Sequence, residues 1–276
     1  MNAEILSNVL PQGHRSAFDA IASEYDRIFT HSLLGTAHRT LVHEALRRHL
    51  REGQRVLDLN CGTGEDALYL ASAGMSVIGC DISGSMINVA REKASCSPHG
   101  SQIEFRVCAN EKLDTLHEDG LFDVAISNFG GLNCVSDLAG VAHKLSHLLR
   151  PGGKVFLCVM GRYCAWEMIW YAIHGRWRKA FRRLNRQGIR ANILGADFAV
   201  HYPSVNEMRR AFAPWFRLQS WRGIGVVLPP SWMESHLRAH PSFVELLTHI
   251  DRGLGGVPLF RGFADHILIQ LVREEL

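Results

Sequence analysis

Short apolar runs alternate along this chain with stretches in which apolar residues recur every three or four positions. Val56, Leu57 and Leu59 make a brief strand pattern, and Ala67, Leu68, Leu70 and Ala71 follow at helical spacing. The alternation continues as strand 76–81, helix 84–94, strand 102–107, a short helix or loop 110–118, strand 122–128, helix 136–149 and strand 154–160. Strands that alternate with helices in this way predict a doubly wound, parallel α/β sheet. Upstream, 1–13 reads as a poorly ordered tail and 17–29 as a helix with Phe18, Ile21, Ala22 and Tyr25 on one face. A second helix spans 37–50 and stops at Gly53. Downstream, Ser204 with Glu207 three residues later predicts a capped helix over 204–212. Strands at about 215–227 and 263–273 then close the sheet as a hairpin-like pair with an antiparallel edge.

Between these elements the pattern breaks twice. Residues 161–203 mix aromatic residues with a basic run, Arg176, Arg178, Lys179, Arg182, Arg183, Arg186 and Arg190. They read as a helical cap insertion whose buried face is Trp166, Ile169, Trp170, Ile173 and Trp177. Residues 229–262 form a second cap segment within 204–276, the end of the core sheet. The chain thus divides into N-terminal helices (1–53), a core (54–160), the basic cap (161–203) and this last part.

Composition narrows the possibilities only slightly. With 276 residues, 47% of them hydrophobic and 21% charged, the chain has room for one full core and a cap. A net charge of +3 argues against nucleic acid as a partner. No apolar run approaches the length of a membrane helix and the first residues lack a leader pattern, so a soluble, cytoplasmic protein is expected. Seven cysteines form no C-x-x-C pair and read as reduced, mostly buried thiols. The pairs His143/His147 and His236/His240 have metal-ligand spacing but no third ligand near them in sequence, so no metal is expected.

The candidate chemistry lies at the first strand-to-helix turn, Cys61-Gly62-Thr63-Gly64. Glycines there permit positive φ and close backbone approach, and a helix N-terminus beyond them offers free N–H groups to an anion. The turn departs from the dinucleotide fingerprint, with Ala67 at its last glycine position and Asn60 at the first position of the G-x-G-x-G form. Asp81, however, ends the second strand seventeen residues after Gly64, where an acid suits a ribose diol.

Val56-Leu-Asp-Leu-Asn-Cys-Gly-Thr-Gly64, Asp81, Leu121-Phe-Asp-Val-Ala-Ile-Ser-Asn128 and Leu149-Arg-Pro-Gly-Gly-Lys-Val-Phe156 together resemble the ordered motifs of class I S-adenosylmethionine-dependent methyltransferases of the small-molecule type. The resemblance covers about 55–160, and Phe18 to Asp26 is similar to the helix preceding the core in such enzymes. It implies a Rossmann-like, seven-stranded sheet with an antiparallel last strand. By position it also implies that Asp58, Asn60, Gly62 and Gly64 cradle the methionine end of the cofactor and that Asp81 takes the ribose hydroxyls. Ile82 and Met86 would pack near the adenine, and Asn128 and Phe129 would close the pocket beside the sulfonium, with Tyr25 a contact for the carboxylate. Where the family often has Gly-Asp-Ala, this chain has Cys108-Ala109-Asn110-Glu111, which leaves adenine contacts to backbone at Ala109 or to Asn110 or Glu111.

The expected activity is methyl transfer to a small molecule, on a hydroxyl or carboxylate oxygen. Transfer from a sulfonium needs alignment more than a base; if the acceptor must lose a proton, His201, Tyr202 and His236 are the candidates. Two alternatives stand beside this: an acyl substrate on an acidic carrier protein that meets the basic cap, and a non-catalytic cofactor-binding protein.

Overall fold

The structure, a computed structural model, describes residues 18–193 and 196–275; the tail expected over 1–13 lies outside them. Its strands are β1 (Arg55–Leu59), β2 (Ser76–Asp81), β3 (Ile103–Val107), β4 (Phe122–Ser127), β5 (Leu149–Met160), β6 (Ile189–Ile193), β7 (Ala196–Val200), β8 (Phe216–Ile224) and β9 (His266–Arg273). Seven of them form one sheet in the order β3-β2-β1-β4-β5-β9-β8. The first five are parallel, whereas β9 runs antiparallel to both β5 and β8. The reversed last strand is therefore present, but it lies inside the sheet and β8 forms the edge.

Alternate residues of each central strand face opposite layers, as the pleat requires. Val56, Val77, Val124, Ile126 and Phe156 enter one core with helices Leu33–Arg47 and Glu65–Ser72. Leu57, Ile78, Ala125, Val155 and Leu157 enter the other with helices Leu138–Leu148 and Val205–Phe212. Strands buried on both faces read in the sequence as continuous apolar runs. The chain leaves β1 toward β2 and β3 on one side and β4 and β5 on the other. The tips of β1 and β4 thus flank a topological switch point, where open α/β sheets form their ligand crevice.

Polar contacts close the N-terminal helices over this crevice. The segment Asp19–Thr30 is helical throughout, in short 3₁₀, α and π stretches, and Phe18, Ile21, Ala22 and Tyr25 pack as one cluster with Met86 and Ile193. Asp26 accepts from Thr63 at 2.5 Å and from Lys93 at 2.8 Å, which ties this segment to the glycine turn. In the next helix Arg39 donates to Asp66 at 2.5 Å, and His43 contacts the other Asp66 oxygen at 2.7 Å. Asp66 is buried at the first turn of the helix that follows the glycines.

The cap departs from the expectation in two ways. Its second half is not helical, because β6 and β7 pair as an antiparallel hairpin after the short helical turns Trp177–Ala180 and Arg182–Leu184. Helix Ala165–Ile173 is also rotated relative to the apolar phase of its sequence. Trp166 and Trp170 pack against the core as expected, but its most buried residues are Glu167 and Tyr171, while Ile169 and Ile173 are 63% and 71% exposed and Trp177 beyond the helix is 61% exposed. The cause is electrostatic. Glu167 accepts from Arg182 and, at 2.7 Å, from buried Arg183, whose other nitrogens donate to the Asp265 side chain at 2.6 Å and its carbonyl at 2.9 Å. Trp166 fixes the same rotation by donating its indole N–H to the Val227 carbonyl at 2.8 Å. Helix Val205–Phe212 carries the expected capping box between Ser204 and Glu207. Segment 229–262 contributes helix Pro241–Leu254, and Asp251 within it accepts from the backbone N–H groups of Val226, Val227 and Leu228. No helix among the described residues is long and apolar enough to cross a membrane.

Removing one partner of a buried ion pair leaves the other charge uncompensated, at a cost of about 3 kcal/mol. Asp66→Ala is expected to lower stability by that amount in urea unfolding, and a loss below about 1 kcal/mol would contradict the role given to the pair. Burial alone would raise the Asp66 carboxyl, yet Arg39 and His43 hold it well below the usual carboxylate range. The contribution of this group is therefore complete above about pH 4, the unfolded value, and is lost as pH falls toward the depressed folded one.

Candidate functional site

The glycine turn is built as a cradle. Asn60, at φ 55°, and Gly62 and Gly64, at 54° and 78°, turn the chain out of β1 and into helix Glu65–Ser72. Asn60 tolerates this left-handed geometry as short polar side chains do, and its Oδ1 accepts from Ser127 of β4 at 3.1 Å. At Gly64 a side chain would strike the Phe105 ring at 2.6 Å, whereas one built at Gly62 would meet nothing within 4 Å. The space above Gly62 is open.

Besides Asp26, bonded to Thr63, the carboxyl groups of Asp58, Asp66 and Asp81 surround this turn. Asp81 at the tip of β2 accepts from Gly62 N–H at 3.0 Å with one oxygen and from Ser83 N–H at 2.8 Å with the other, which locks its orientation toward the crevice. Burial lifts the Asp81 carboxyl above its ordinary range, against the pull of those N–H groups. Asp58 is 1% exposed and its Oδ2 has no hydrogen-bond partner among the described residues. Burial, together with the nearby charges of Asp66 and Asp81, lifts this carboxyl well above its usual range. Ser83, not Asp81, caps the following helix, accepting from Met86 N–H at 3.1 Å.

At the tip of β4 the side-chain amide of Asn128 is buried and neither Oδ1 nor Nδ2 has a partner among the described residues. Such groups are costly unless something else satisfies them. The next residue, Phe129, adopts φ 53°, and its ring carries the Arg39 guanidinium at 4.7 Å on one side and meets the His266 ring edge-on at 5.6 Å on another. His266 lies 3.1 Å from Asp265 and, ring to ring, 5.9 Å from His38. Spacing in the sequence could not show this trio, because His38 comes from the second N-terminal helix and the other two from the start of β9. Burial lowers the His38 imidazole, which keeps it neutral. Burial would raise Asp265, but His266 and Arg183 hold it well below its usual range. One ligand atom from each residue lies within 4.8 Å of the others, a separation open to a metal ion. Arg183, however, already pairs with the Asp265 carboxylate, and the arrangement reads as a buried guanidinium–carboxylate pair with the His266 ring beside it and beside Phe129.

The other residues singled out in the sequence fall as follows. Tyr25 lies close enough to Arg39, Asp81 and Asp66 for their charges to act on its hydroxyl, which burial pushes upward. Ile82 is exposed beside Asp81, whereas Met86 is buried beneath Ile21 and Ala22. Ala109 opens the turn Asn110–Asp119, with Asn110 buried and Glu111 exposed. The main chain of His201 is pinned to Asn133, just after Phe129, through bonds of 2.7 and 2.6 Å. Tyr202 is buried with its ring 5.2 Å from Arg183, and burial raises its hydroxyl. His236 stands apart, exposed and edge-on to Trp170 at 5.3 Å. His240 does not share its helix face but precedes helix Pro241–Leu254. Arg39, Asp26, Asp66 and His266 carry no short-range motif. Their only signal in the sequence is a charged or imidazole residue on an otherwise apolar helix or strand.

Residues 56–153 match the model of a family described as "Methyltransferase domain". Among curated relatives, the chain is 33% identical over 146 residues to the ubiquinone/menaquinone biosynthesis C-methyltransferase UbiE of Geobacter sp. (strain M21), covering 52% of this chain and 61% of that protein. It is 34% identical over 148 residues to the 2-phytyl-1,4-naphtoquinone methyltransferase of Trichormus variabilis, with coverages of 51% and 61%. The chain thus spans about three-fifths of these relatives' length. The CcbJ methyltransferase of Streptomyces caelestis superposes with a TM-score of 0.62 at 16% identity, over 96% of this chain and all of that one. A DhpI–SAH complex gives 0.59 at 17% identity, over 94% of each chain. At such identities the likeness establishes the fold.

An amide buried without a partner among the described residues costs stability and is satisfied only by something from outside those residues. Asn128→Leu is therefore expected to leave stability unchanged or raise it by about 1 kcal/mol in thermal unfolding, while weakening S-adenosylmethionine binding. A clear loss of stability with unchanged binding would contradict this.

Proposed function

We propose, from the premise that residues 56–153 form a class I S-adenosylmethionine-dependent methyltransferase domain, that the protein transfers the methyl group of S-adenosylmethionine to a small molecule held over Phe129. The observation that carries this reading is the set of buried, unpartnered polar atoms on adjacent strand tips: Asp58 Oδ2 on β1 and both amide atoms of Asn128 after β4, beside an Asp81 carboxylate held in place by backbone. Asp81 would accept from the two ribose hydroxyls with the lone pairs its backbone contacts leave free. The open space over Gly62 would receive the methionine end, and Asp58 and Asn128 would face its polar and cationic groups. The bound cofactor supplies an electrophilic methyl group on a sulfonium. What remains for the chain is to align an acceptor and exclude water.

For the acceptor end we take a hydroxyl-bearing ring as the group that fits. Phe129 offers an apolar wall, Arg39 stacked on it the guanidinium edge that its Asp66 pair leaves uncovered, and His266, 3.1 Å from Asp265, a nitrogen for the departing proton. Among the three candidate bases expected from the sequence, only the His201 main chain is tied to the loop after Phe129. Oxygen is the acceptor atom on this reading. The relatives' names support a second one, because the same phenolate is also nucleophilic at ring carbon. A carrier-protein substrate would meet only the exposed part of the basic run, Arg176, Arg178, Lys179, Arg186 and Arg190, since Arg182 and Arg183 are engaged inside the protein.

Calorimetry is expected to show S-adenosylmethionine binding that Asp81→Ala weakens by about 100-fold. Binding unaffected by that change would remove the site. Because the Asp81 carboxyl is raised, affinity should fall as pH drops through that raised value and stay level above it. Incubation with hydroxylated quinol or phenol acceptors, followed by mass spectrometry and localisation of the added methyl, separates oxygen from carbon products. A chain that binds the cofactor yet methylates none of them, nor any component of a cell extract, supports the non-catalytic alternative.

A further inference from the structure

The outward face of the cap is apolar where a solvated helix would be polar. Ile169 and Ile173 stand on helix Ala165–Ile173; beyond the turn at Gly175 come Trp177 and Phe181, whose rings stack at 6.4 Å with an interplanar angle of 9°. All four are exposed, three of them by more than 60%. This is not a core face left open by accident, because the buried ion pairs of Glu167 and the Trp166 hydrogen bond fix the rotation of the helix with its other side inward. Four large apolar side chains exposed within one short segment, two of them stacked on each other, mark an interaction site.

The charge around the stripe identifies the partner. From 161 to 190 the only acid is Glu167, and it is buried among its arginines. Arg176, Arg178, Arg186 and Arg190 are exposed and make no ion pair with the described residues, and Lys179 lies 5.8 Å from the Tyr171 ring. Exposed aromatic and aliphatic side chains on one segment that also carries long cationic side chains and no exposed acid of its own make the pattern of an element that lies in a membrane interface without crossing it. A second copy of the chain would bring the same cations face to face across a two-fold axis. An acidic protein would satisfy the cations but has no need of the stripe.

We propose that the face formed by Ile169, Ile173, Trp177 and Phe181 docks on an anionic phospholipid surface, with Arg176, Arg178 and Lys179 meeting the headgroups. The apolar side chains enter the boundary between headgroups and acyl chains, and each cation adds roughly fivefold to the partitioning at low salt. The docking is independent of methyl transfer, and it is measured without cofactor.

The test is co-sedimentation of the full chain with vesicles of phosphatidylcholine, either alone or mixed with phosphatidylglycerol. Binding is expected to the anionic vesicles, weakening as salt is raised, with a blue shift of tryptophan fluorescence. The double variant Ile173→Glu with Trp177→Glu should reduce partitioning by about tenfold or more, and Arg178→Glu with Lys179→Glu should do the same. Both pairs are exposed and outside the cofactor crevice, so S-adenosylmethionine affinity and thermal unfolding should match the parent chain and report a folded protein. Equal binding to neutral vesicles, or parent-like binding by the chain carrying I173E and W177E, overturns the proposal. So does a dimer in solution that I173E and W177E dissociate while vesicles go unbound, which would assign the stripe to a second copy.

Discussion

Three carboxylates crowd one turn of this protein, and the way their repulsion is resolved organises everything around the crevice. Asp58, Asp66 and Asp81 come from the end of β1, the start of the next helix and the end of β2, positions that the doubly wound sheet places side by side. Each meets a different fate. Asp66 is bound by Arg39 and His43, Asp81 is held by two backbone N–H groups, and Asp58 is left buried without a partner for one oxygen among the described residues. The first arrangement requires the second N-terminal helix to lie over the sheet. The second fixes the glycine turn against β2. The third leaves an unpartnered carboxyl oxygen, its charge disfavoured by burial, to meet whatever polar group enters the crevice. Folding and binding therefore draw on one set of charges.

Much of this was legible in the chain. The strands from 55 to 160 announce themselves as apolar runs because both faces of the sheet are covered, and the positive φ of Asn60 and Gly62 follows from residue types that tolerate it. Asp81 could be placed by its distance from the glycines. What could not be read was any contact that joins distant segments. His38 meets Asp265 and His266 only because β9 folds back beside β5, and Arg39 meets Asp66 through the packing of two helices that share no motif.

The cap failed to follow its own periodicity for a physical reason. Apolar spacing places Trp166, Ile169, Trp170 and Ile173 inward, on the premise that a charged residue such as Glu167 faces water. Two arginines later in the chain reverse that premise by offering Glu167 a buried partner, and the helix turns to satisfy the charge. A single buried ion can outvote several apolar side chains, since leaving it unpaired costs more than exposing one of them. The hairpin of β6 and β7 was missed because its strands are short and only partly apolar.

Arg183 has a reach that its place in the sequence conceals. It grips Glu167 on the helix that carries the outward stripe and Asp265 on the strand that presents His266 to Phe129. One guanidinium thus stands between the outer surface and the acceptor side of the crevice. Losing that one side chain would take a buried cation away from two carboxylates at once, Glu167 beneath the outward stripe and Asp265 beside His266.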